Sequence, residues 1–379
     1  MRFTSLAALS MLAAMACAGE QPAPRAAAAP VAPPPPTPPP AEEPAPPPPP
    51  AKPALSELIP QTMKALADAF NAHDPKKVAD SFTADCVVSA FGAPSARGRD
   101  ELARGLQAFF DFVGDARSAN LRVWVSGNVV VDEFAWAGTM TGDFMGIKAT
   151  KKALGAMRVQ VLVLTDDGLV REMREYGDDA GLLAQIAGKK GAPAVPSLPT
   201  NPPQVHTATG APPGEEAKLA EWARSIDEVF SKDDAKAAAA LMADDADYWQ
   251  SVSFGPATKG KKDLTKDLER WFSAFPDQKW TTTSAMGVDG FAIVEHTMSG
   301  TQKGRLGPLP ASNKVVSDWH WIDILQPSAE GNVQHGWGYA NLIEMMQQTG
   351  ALRPPGGEKK PAAAAKGATA DAAAKNQQK

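Results

Sequence analysis

Two stretches of the sequence place polar and ionisable side chains along one face of a strand that runs into a short helix. The first covers residues 170–187, in which Glu172, Arg174, Tyr176 and Asp178 alternate with other residues. Side chains point to opposite faces of a strand in turn, so these four would share one face. Carboxylates, a guanidinium and a phenol on one face can bind a polar ligand or exchange protons with it.

The second stretch covers residues 333–350 and has the same form. Its matching face carries His335, Trp337, Tyr339 and Asn341, and a run of helix-forming residues follows. The sequence therefore predicts two copies of one unit, each with a wall that could line a ligand pocket.

A further group of candidate residues lies in and around residues 316–323. Asp318 and His320 would share one face of a strand there, and His296 and His335 are expected on neighbouring strands. These residues could form a base or a metal set. Alternatively, they are hydrogen-bonded lining of aromatic strands. We expect no metal and no cofactor.

Composition and charge limit the classes of function. The chain has 379 residues, a formal charge of −5 and two cysteines, Cys17 and Cys86. The length predicts two or three domains. Because the folded parts contain no long Lys/Arg run, nucleic acid is not expected as a partner. Two cysteines exclude a disulfide framework and a cysteine-rich metal site, and Cys86 is expected in the core.

The N-terminus has the pattern of a targeting segment, residues 1–17. Arg2 precedes an apolar stretch that ends in Ala14-Met15-Ala16, directly before Cys17. Cleavage after the alanine would give a secreted protein. Alternatively, Cys17 is lipidated, which would place the protein in the cell envelope, anchored to the outer membrane and facing the periplasm or the surface. Export is expected in both cases, and any membrane contact would be through the lipid alone.

Three segments of biased composition divide the rest of the chain. Residues 18–54 are rich in Pro and Ala and favour extended polyproline II, so they form either a stiff stalk or a solubilising linker. Residues 192–214 are a second proline-rich linker, and residues 353–379 are an Ala/Lys-rich tail expected to be disordered. Two folded domains remain, 55–191 and 215–352.

Each domain has the pattern of an α+β fold with a curved antiparallel sheet wrapped on helices. In the first, a helix from Leu55 and a short second helix precede a strand, a helix over 101–112, and strands at 121–126, 129–139, 156–164 and 170–176.

The second domain repeats the first. Residues 259–264 match residues 97–102 with an offset of 264 − 102 = 162, and residues 297–300 were matched with 139–142. Because these matches occur in the same order, they indicate an internal duplication.

These motifs resemble the SnoaL-like polyketide cyclases of the nuclear-transport-factor-two-like superfamily. The resemblance is carried by residues 70–74, the turn at 98–100, residues 138–142, and residues 176–178 followed by 182–185. It implies two tandem cone-shaped α+β barrels, each a bent sheet closed by three helices around a pocket. Members include cyclases, isomerases, dehydratases, epoxide hydrolases and binding domains, so the fold leaves the function open.

The resemblance also assigns a role to Asp178. In the cyclases an acid at the end of the last strand is the general base, and Asp178 matches it. Tyr176 could then donate to an enolate oxygen. As an alternative, Asp178 caps the helix that follows, and Glu172 pairs with Arg174. In the second unit Asn341 stands at the acid's place, and an amide cannot be a general base.

Two classes of function follow from these residues. In the first, the protein is a small-molecule binding module for a hydrophobic molecule, with a pocket in each unit. In the second, it is a proton-transfer enzyme with Asp178 as base. Seven tryptophans in the second unit favour either an aromatic pocket or core packing. Family members commonly dimerise through the sheet, which predicts an internal pseudo-dimer or a homodimer.

Overall fold

The structure is a computed structural model that describes residues 53–91, 95–144, 147–208, 214–253, 255–307 and 309–352. The targeting segment, Cys17, nearly all of the proline-rich segment and the 353–379 tail lie outside the described residues. Within the described ranges, no helix is both long enough and apolar enough to cross a membrane.

Unit one (residues 55–191) has the predicted order of elements. Its helices are α1 (Leu55–Asn71), α2 (Pro75–Asp80), α3 (Arg99–Phe112) and α4 (Asp179–Ile186). Its strands are β1 (Phe82–Ala90), β2 (Ala96–Arg97), β3 (Arg117–Ser126), β4 (Val129–Thr139), β5 (Ala153–Leu164) and β6 (Val170–Tyr176). A further strand, β7 (Gln204–Thr207), lies in the segment predicted to be a linker.

Unit two (residues 215–352) repeats this order. Its helices are α5 (Glu215–Phe230), α6 (Ala235–Ala240), α7 (Lys261–Ala274) and α8 (Leu342–Thr349). Its strands are β8 (Met242–Gln250), β9 (Thr258–Lys259), β10 (Lys279–Val288), β11 (Phe291–Thr301), β12 (Val315–Pro327) and β13 (Val333–Ala340). The described part of each unit thus has four helices.

Local sequence explains where the short second helices begin. Asp74 accepts a hydrogen bond from the amide of Lys77, and Pro75 stands at the first helical position, where its missing N–H is not needed. Asp234 likewise accepts bonds from the amides of Lys236 and Ala237.

The two curved sheets are mixed rather than purely antiparallel. Their strand orders are β2-β1-β6-β5-β4-β3-β7 and β10-β11-β12-β13-β8-β9. In each unit the first long strand pairs in parallel with the last one, β1 with β6 and β8 with β13. A parallel pair needs a long connection, and in each unit one long helix and three long strands lie between the two paired strands.

The proline-rich segment between the units is partly ordered, which its composition did not indicate. Strand β7 pairs in parallel with β3 at the edge of the first sheet. His206 of β7 stacks on Trp124 and forms a 2.8 Å contact with Asp289 of unit two. The segment therefore contacts both units.

One predicted match within the repeat was wrong by four residues. Asp115 accepts bonds from the amide and hydroxyl of Thr139, and Asp277 does the same for Thr301. Thr301, and not Thr297, is therefore the equivalent of Thr139. The offset of 301 − 139 = 162 agrees with the one found for the third helix.

The two sheets pack against each other through one buried cluster to which both units contribute. Its members are Trp124, Val131, Val159, Val161 and Tyr176 of unit one and Val288, Phe291, Ile293, Ile322, Ile324 and Tyr339 of unit two. The opposite, concave face of each sheet packs on the helices of its own unit.

Candidate functional site

The polar face predicted as a pocket wall in unit one lies between the two sheets. The guanidinium of Arg174 donates two 2.7 Å bonds to the carboxylate of Glu295, and Tyr176 donates a third of 2.6 Å. Arg174 also pairs with Glu172 at 2.5 Å. These side chains hold the units together, and none of them lines the cavity of unit one.

The equivalent face of unit two makes the reciprocal tyrosine contact. Tyr339 donates to Glu133 of unit one, whose carboxylate also accepts bonds of 2.6 and 2.7 Å from Arg122. The Arg122 guanidinium lies 3.8 Å from the ring centroid of Trp337. Arg174 and Tyr176 of the first predicted wall and Trp337 and Tyr339 of the second therefore lie at one interface between the units.

Asp178 is buried and caps α4. Its carboxylate accepts bonds from the amides of Ala180 (3.2 Å) and Gly181 (2.6 Å) and, across the interface, from Leu342 (3.2 Å). Burial raises its pKa to about 7, although the amide bonds act in the opposite direction. Asp178 lines neither cavity described below.

Asn341 mirrors Asp178 at the start of α8. Its side-chain oxygen accepts from the amide of Ile343, and its amide group donates to the carboxylate of Asp179 and to the carbonyl of Phe91. The amide thus caps its own helix and bonds to the other unit.

The structure does not bring Asp318, His320 and His335 together. Asp318 is exposed and has a φ of +49°. His320 pairs with Glu344 at 2.7 Å, and His335 pairs with Asp247 at 2.8 Å. Across the described ranges, no group of three or more His, Cys, Asp or Glu residues has the arrangement of a metal site.

A large cavity lies on the concave face of unit two. It has a volume of about 880 Å³. Its walls are mainly aromatic and aliphatic and come from α5, α7 and the inner face of the sheet. The aromatic residues that line it are Phe230, Tyr248, Trp271, Trp280 and Trp321. His296 also lines this cavity, as the one member of the predicted pocket set that does so.

A row of polar side chains crosses the sheet at the inner end of this cavity. His296 of β11 contacts Asp227 of α5 through Nδ1 at 2.8 Å and Asp323 of β12 through Nε2 at 3.3 Å. Thr282 of β10 donates to the other oxygen of Asp227 at 2.6 Å. Asp323 in turn interacts with the hydroxyl of Tyr248 of β8. We call these four residues, Tyr248, Asp323, His296 and Asp227, the polar row.

Two glycines allow Tyr248 to join the polar row. A Cβ at Gly336 would lie 2.2 Å from Cδ2 of the Tyr248 ring, and a Cβ at Gly338 would lie 2.7 Å from Oδ1 of Asp323. The ring therefore lies directly over β13. This close approach is what requires glycine at both positions. The backbone conformation does not require it, because the φ of neither residue is in the left-handed region.

The polar row holds His296 in its charged form. Burial alone would lower the pKa of His296, but the hydrogen bonds and charges of Asp227 and Asp323 outweigh it and raise the pKa to about 9. Burial and, after it, the charge of Asp323 raise the pKa of Tyr248 well above its usual range. At neutral pH the row therefore contains an imidazolium and a neutral phenol.

Unit one has a much smaller cavity in the corresponding place, about 170 Å³ in volume. Its polar wall includes Asp132, whose carboxylate accepts 2.7 Å bonds from Asn120 and Gln160. Burial raises the pKa of Asp132 to about 6, against the effect of these two bonds. Arg158, also in this wall, pairs with Glu175 and Asp179.

Asp227, Tyr248, Asp323 and Asp132 were not identified as site residues from the sequence. Asp227 lies on the buried side of α5 with Ala223 and Ile226. An acidic residue within an apolar helical stripe was the signal that could have identified it. Nothing in the local sequence marks Tyr248 or Asp132.

A known protein family matches each of the two units separately. The family described as SnoaL-like polyketide cyclase matches residues 61–186 and 220–349. No curated protein sequence gives a match.

Many solved structures match one unit each. A SnoaL-like protein from Jannaschia sp. CCS1 is 18% identical, with 35% of this chain and 94% of that chain covered and a TM-score of 0.33. IdmH from Streptomyces antibioticus is 22% identical, with 34% and 97% covered and a TM-score of 0.31. An LEH-like epoxide hydrolase from M. tuberculosis is 20% identical, with 35% and 91% covered and a TM-score of 0.29. These likenesses concern the fold of one unit and say nothing about activity.

The two matched segments include 126 + 130 = 256 of the 379 residues, one segment in each unit. The chain therefore belongs to the SnoaL-like polyketide cyclase family and carries two tandem copies of its α+β domain.

Proposed function

We propose that this protein binds a small, predominantly apolar molecule in the cavity of unit two. The observation that carries the proposal is the cavity of about 880 Å³, with aromatic walls and a polar row at its inner end. Ligand pockets typically have volumes of roughly 300–1,000 Å³, apolar walls and a few convergent polar groups. The cavity of unit two has all three properties.

Unit one has room only for a much smaller ligand. Its cavity of about 170 Å³ is close in size to cavities of about 150 Å³ that hold benzene. In the strand register, Val88 pairs with Met173 in unit one, and Tyr248 pairs with Gly336 in unit two. Met173 lines the smaller cavity, so a side chain takes up space where unit two has a glycine.

A fluorescence experiment on the full chain tests this proposal. N-phenyl-1-naphthylamine, a neutral apolar probe, is expected to bind and to gain fluorescence. Leu264 lines the cavity of unit two, and Leu102 holds the equivalent place in unit one. We expect Leu264→Trp to weaken binding at least about tenfold because the indole fills the cavity, whereas Leu102→Trp leaves the affinity within about twofold.

Circular dichroism and thermal unfolding establish that both variants fold. Equal probe affinity in wild type and a folded Leu264→Trp variant would contradict the proposal, as would no binding to wild type. Native mass spectrometry of protein purified from its own host then gives the mass of any bound ligand.

Proton transfer by Asp178 is the alternative function, and the raised pKa of this buried carboxylate favours it. The contacts favour a structural role instead. Both carboxylate oxygens already accept amide bonds, and the neighbouring Tyr176 donates its proton to Glu295. A ligand recovered by mass spectrometry can be incubated with wild type and Asp178→Asn. Equal turnover by the two proteins would remove Asp178 from any catalytic role.

We also propose that the protein is exported and lipid-anchored through Cys17, on the basis of the targeting pattern in residues 1–17. The proline-rich segment would hold the folded units away from the membrane. Metabolic labelling with an alkyne fatty acid is expected to mark wild type and not Cys17→Ser. Unlabelled wild-type protein in the soluble exported fraction would instead support simple secretion.

A further inference from the structure

We infer that the cavity of unit two selects a hydrophobic organic cation, with an ammonium group on an aromatic or aliphatic body. This inference rests on the proposed function, since it names the chemical class of the ligand that the same cavity would bind. Three features of the cavity support this ligand class: the charges at its inner end, the tryptophans of its wall and its contrast with unit one.

The polar row has a negative net charge in either state of its histidine. Asp227 and Asp323 contribute two carboxylates, and His296 lies between them. The net charge of the polar row is −1 when His296 is an imidazolium and −2 when it is a neutral imidazole. Within the part of the chain that the structure describes, no Lys or Arg forms an ion pair with either carboxylate. A buried net charge without compensation is unfavourable, and a ligand cation would compensate it.

The cations that line the cavity are engaged elsewhere. Lys266 pairs with Asp263 at 2.7 Å and Arg270 pairs with Asp267, with side chains 53% and 70% exposed. Arg305 donates to the carbonyl of Gly307 at 2.8 Å. The exposed pairs lie where solvent screens their charge, so they affect the inner end little.

Asp323 is the more exposed of the two polar-row carboxylates that line the cavity. Its side chain is 14% exposed, compared with 7% for Asp227, and it lines the cavity next to Tyr248. An ammonium N–H that points to the inner end can donate to Asp323. A ligand carboxylate at the same place would meet a like charge.

The tryptophans of the wall favour the same ligand class. The ring centroids of Trp271, Trp280 and Trp321 lie 5.6–6.3 Å apart, so the three indoles pack on one another and form one aromatic patch in the wall of the cavity. The face of an indole attracts a cation, so an aromatic patch rich in tryptophan favours an ammonium group over a carboxylate. In unit one the register position of Trp321 is held by Arg158, a cation of the protein itself.

A charge series on the full-length wild-type protein tests the inference. The probes are 2-naphthylmethylamine, 2-naphthalenemethanol and 2-naphthoate, which share one ring system and carry a positive, zero and negative charge at pH 7. We expect the amine to bind at least about tenfold more tightly than the alcohol, and the carboxylate more weakly than the alcohol, by isothermal titration calorimetry.

The outcomes of this series are distinct. Equal or tighter binding of the alcohol or the carboxylate overturns the inference and leaves the proposed function standing. Failure of all three probes, together with failure of the neutral fluorescent probe, overturns both.

Two variants then locate the charge effect. Asp323→Asn is expected to reduce the preference for the amine over the alcohol by about tenfold, with the affinity for the alcohol changed by less than about threefold. Asp132→Asn in the cavity of unit one is the matched control and is expected to leave the preference unchanged. An unchanged preference in a folded Asp323→Asn variant overturns the assignment of the cation to the polar row.

Discussion

The concave faces of the two units differ far more than the faces through which the units meet. Unit two has His296, Trp321 and Tyr248 around its cavity, where the register of unit one places Phe134, Arg158 and Val88. At the interface, by contrast, each unit supplies one tyrosine to a buried glutamate of the other unit, and each of these glutamates also binds an arginine of unit one.

This difference follows from what each face contacts. A face that packs on an equivalent copy of itself is self-complementary, so a change on one side affects both units. A concave face packs only on the helices of its own unit and can change independently. Residues that hold the two units together are therefore distinct from the residues that line the proposed ligand cavity.

The largest expected effects come from the two interface glutamates. Glu133→Ala leaves the partly buried Arg122 without a carboxylate and should lower the free energy of unfolding by roughly 3–5 kcal/mol. Glu295→Ala should cost less, because Arg174 retains Glu172 as a partner. Urea denaturation at pH 7 measures both. Equal losses, or losses below about 1 kcal/mol, would contradict this account of the interface.

The second prediction concerns the pH dependence that His296 gives to unit two. Its pKa is raised to about 9 from an ordinary 6.5, so its stabilising contribution is complete below about pH 6.5 and is lost as the pH rises through about 9. The difference in unfolding free energy between wild type and His296→Gln should be on the order of 2–4 kcal/mol at pH 6 and much smaller at pH 10.

Phe134 provides the matched control for this measurement because it has the equivalent position and does not titrate. The cost of Phe134→Leu should be the same at both pH values. If the His296→Gln difference were also constant with pH, His296 would not be held as an imidazolium by the two aspartates.

The third prediction concerns Gly336, which leaves space in the cavity of unit two where unit one has the side chain of Met173. Gly336→Ala places a methyl group against the Tyr248 ring, and the displaced ring should reduce stability by roughly 1–3 kcal/mol and weaken binding in unit two. Met173→Ala at the equivalent position of unit one should leave binding in unit two unchanged. Chemical unfolding measures the loss of stability, and probe titration measures the affinity. Normal probe affinity in Gly336→Ala would show that the position of the Tyr248 ring does not affect binding in unit two.

The smallest effects are expected at the helix caps. Asp178→Ala and Asn341→Ala should each cost about 1–2 kcal/mol, since each residue accepts the first amide bonds of its helix. Because burial raises the pKa of Asp178 to about 7, its carboxylate is less favourable above that pH. Asp178→Asn should therefore be better tolerated at pH 8 than at pH 5. Probe affinity should stay within about twofold, and a larger loss would place Asp178 in the ligand site.

Much of the fold could be predicted because local sequence patterns specify its helices and strands. The alternation over residues 129–139 and 170–176 gave β4 and β6 with their observed bounds, and the helical spacing from Leu55 gave the start of α1. The strand β7 was missed because four residues in a proline-rich segment form a strand only where the edge of β3 is available to pair with them. The parallel closing pairs likewise depend on strands far apart in the chain.

The residues of the site also fall into two groups, those identified from sequence patterns and those brought together only by packing. The sequence alone determined that the chain contains a duplicated α+β unit, that Asp178 and Asn341 precede matching helices, and that His296 is a candidate pocket residue. Only the tertiary structure decided which face of the last strand meets the other unit, and it gave Glu172, Arg174 and Tyr176 to the interface. It also brought together Asp227, Tyr248, His296 and Asp323, which lie on four separate elements. Periodicity specifies the face on which a side chain lies, but the partner of that face is set by the packing of distant segments.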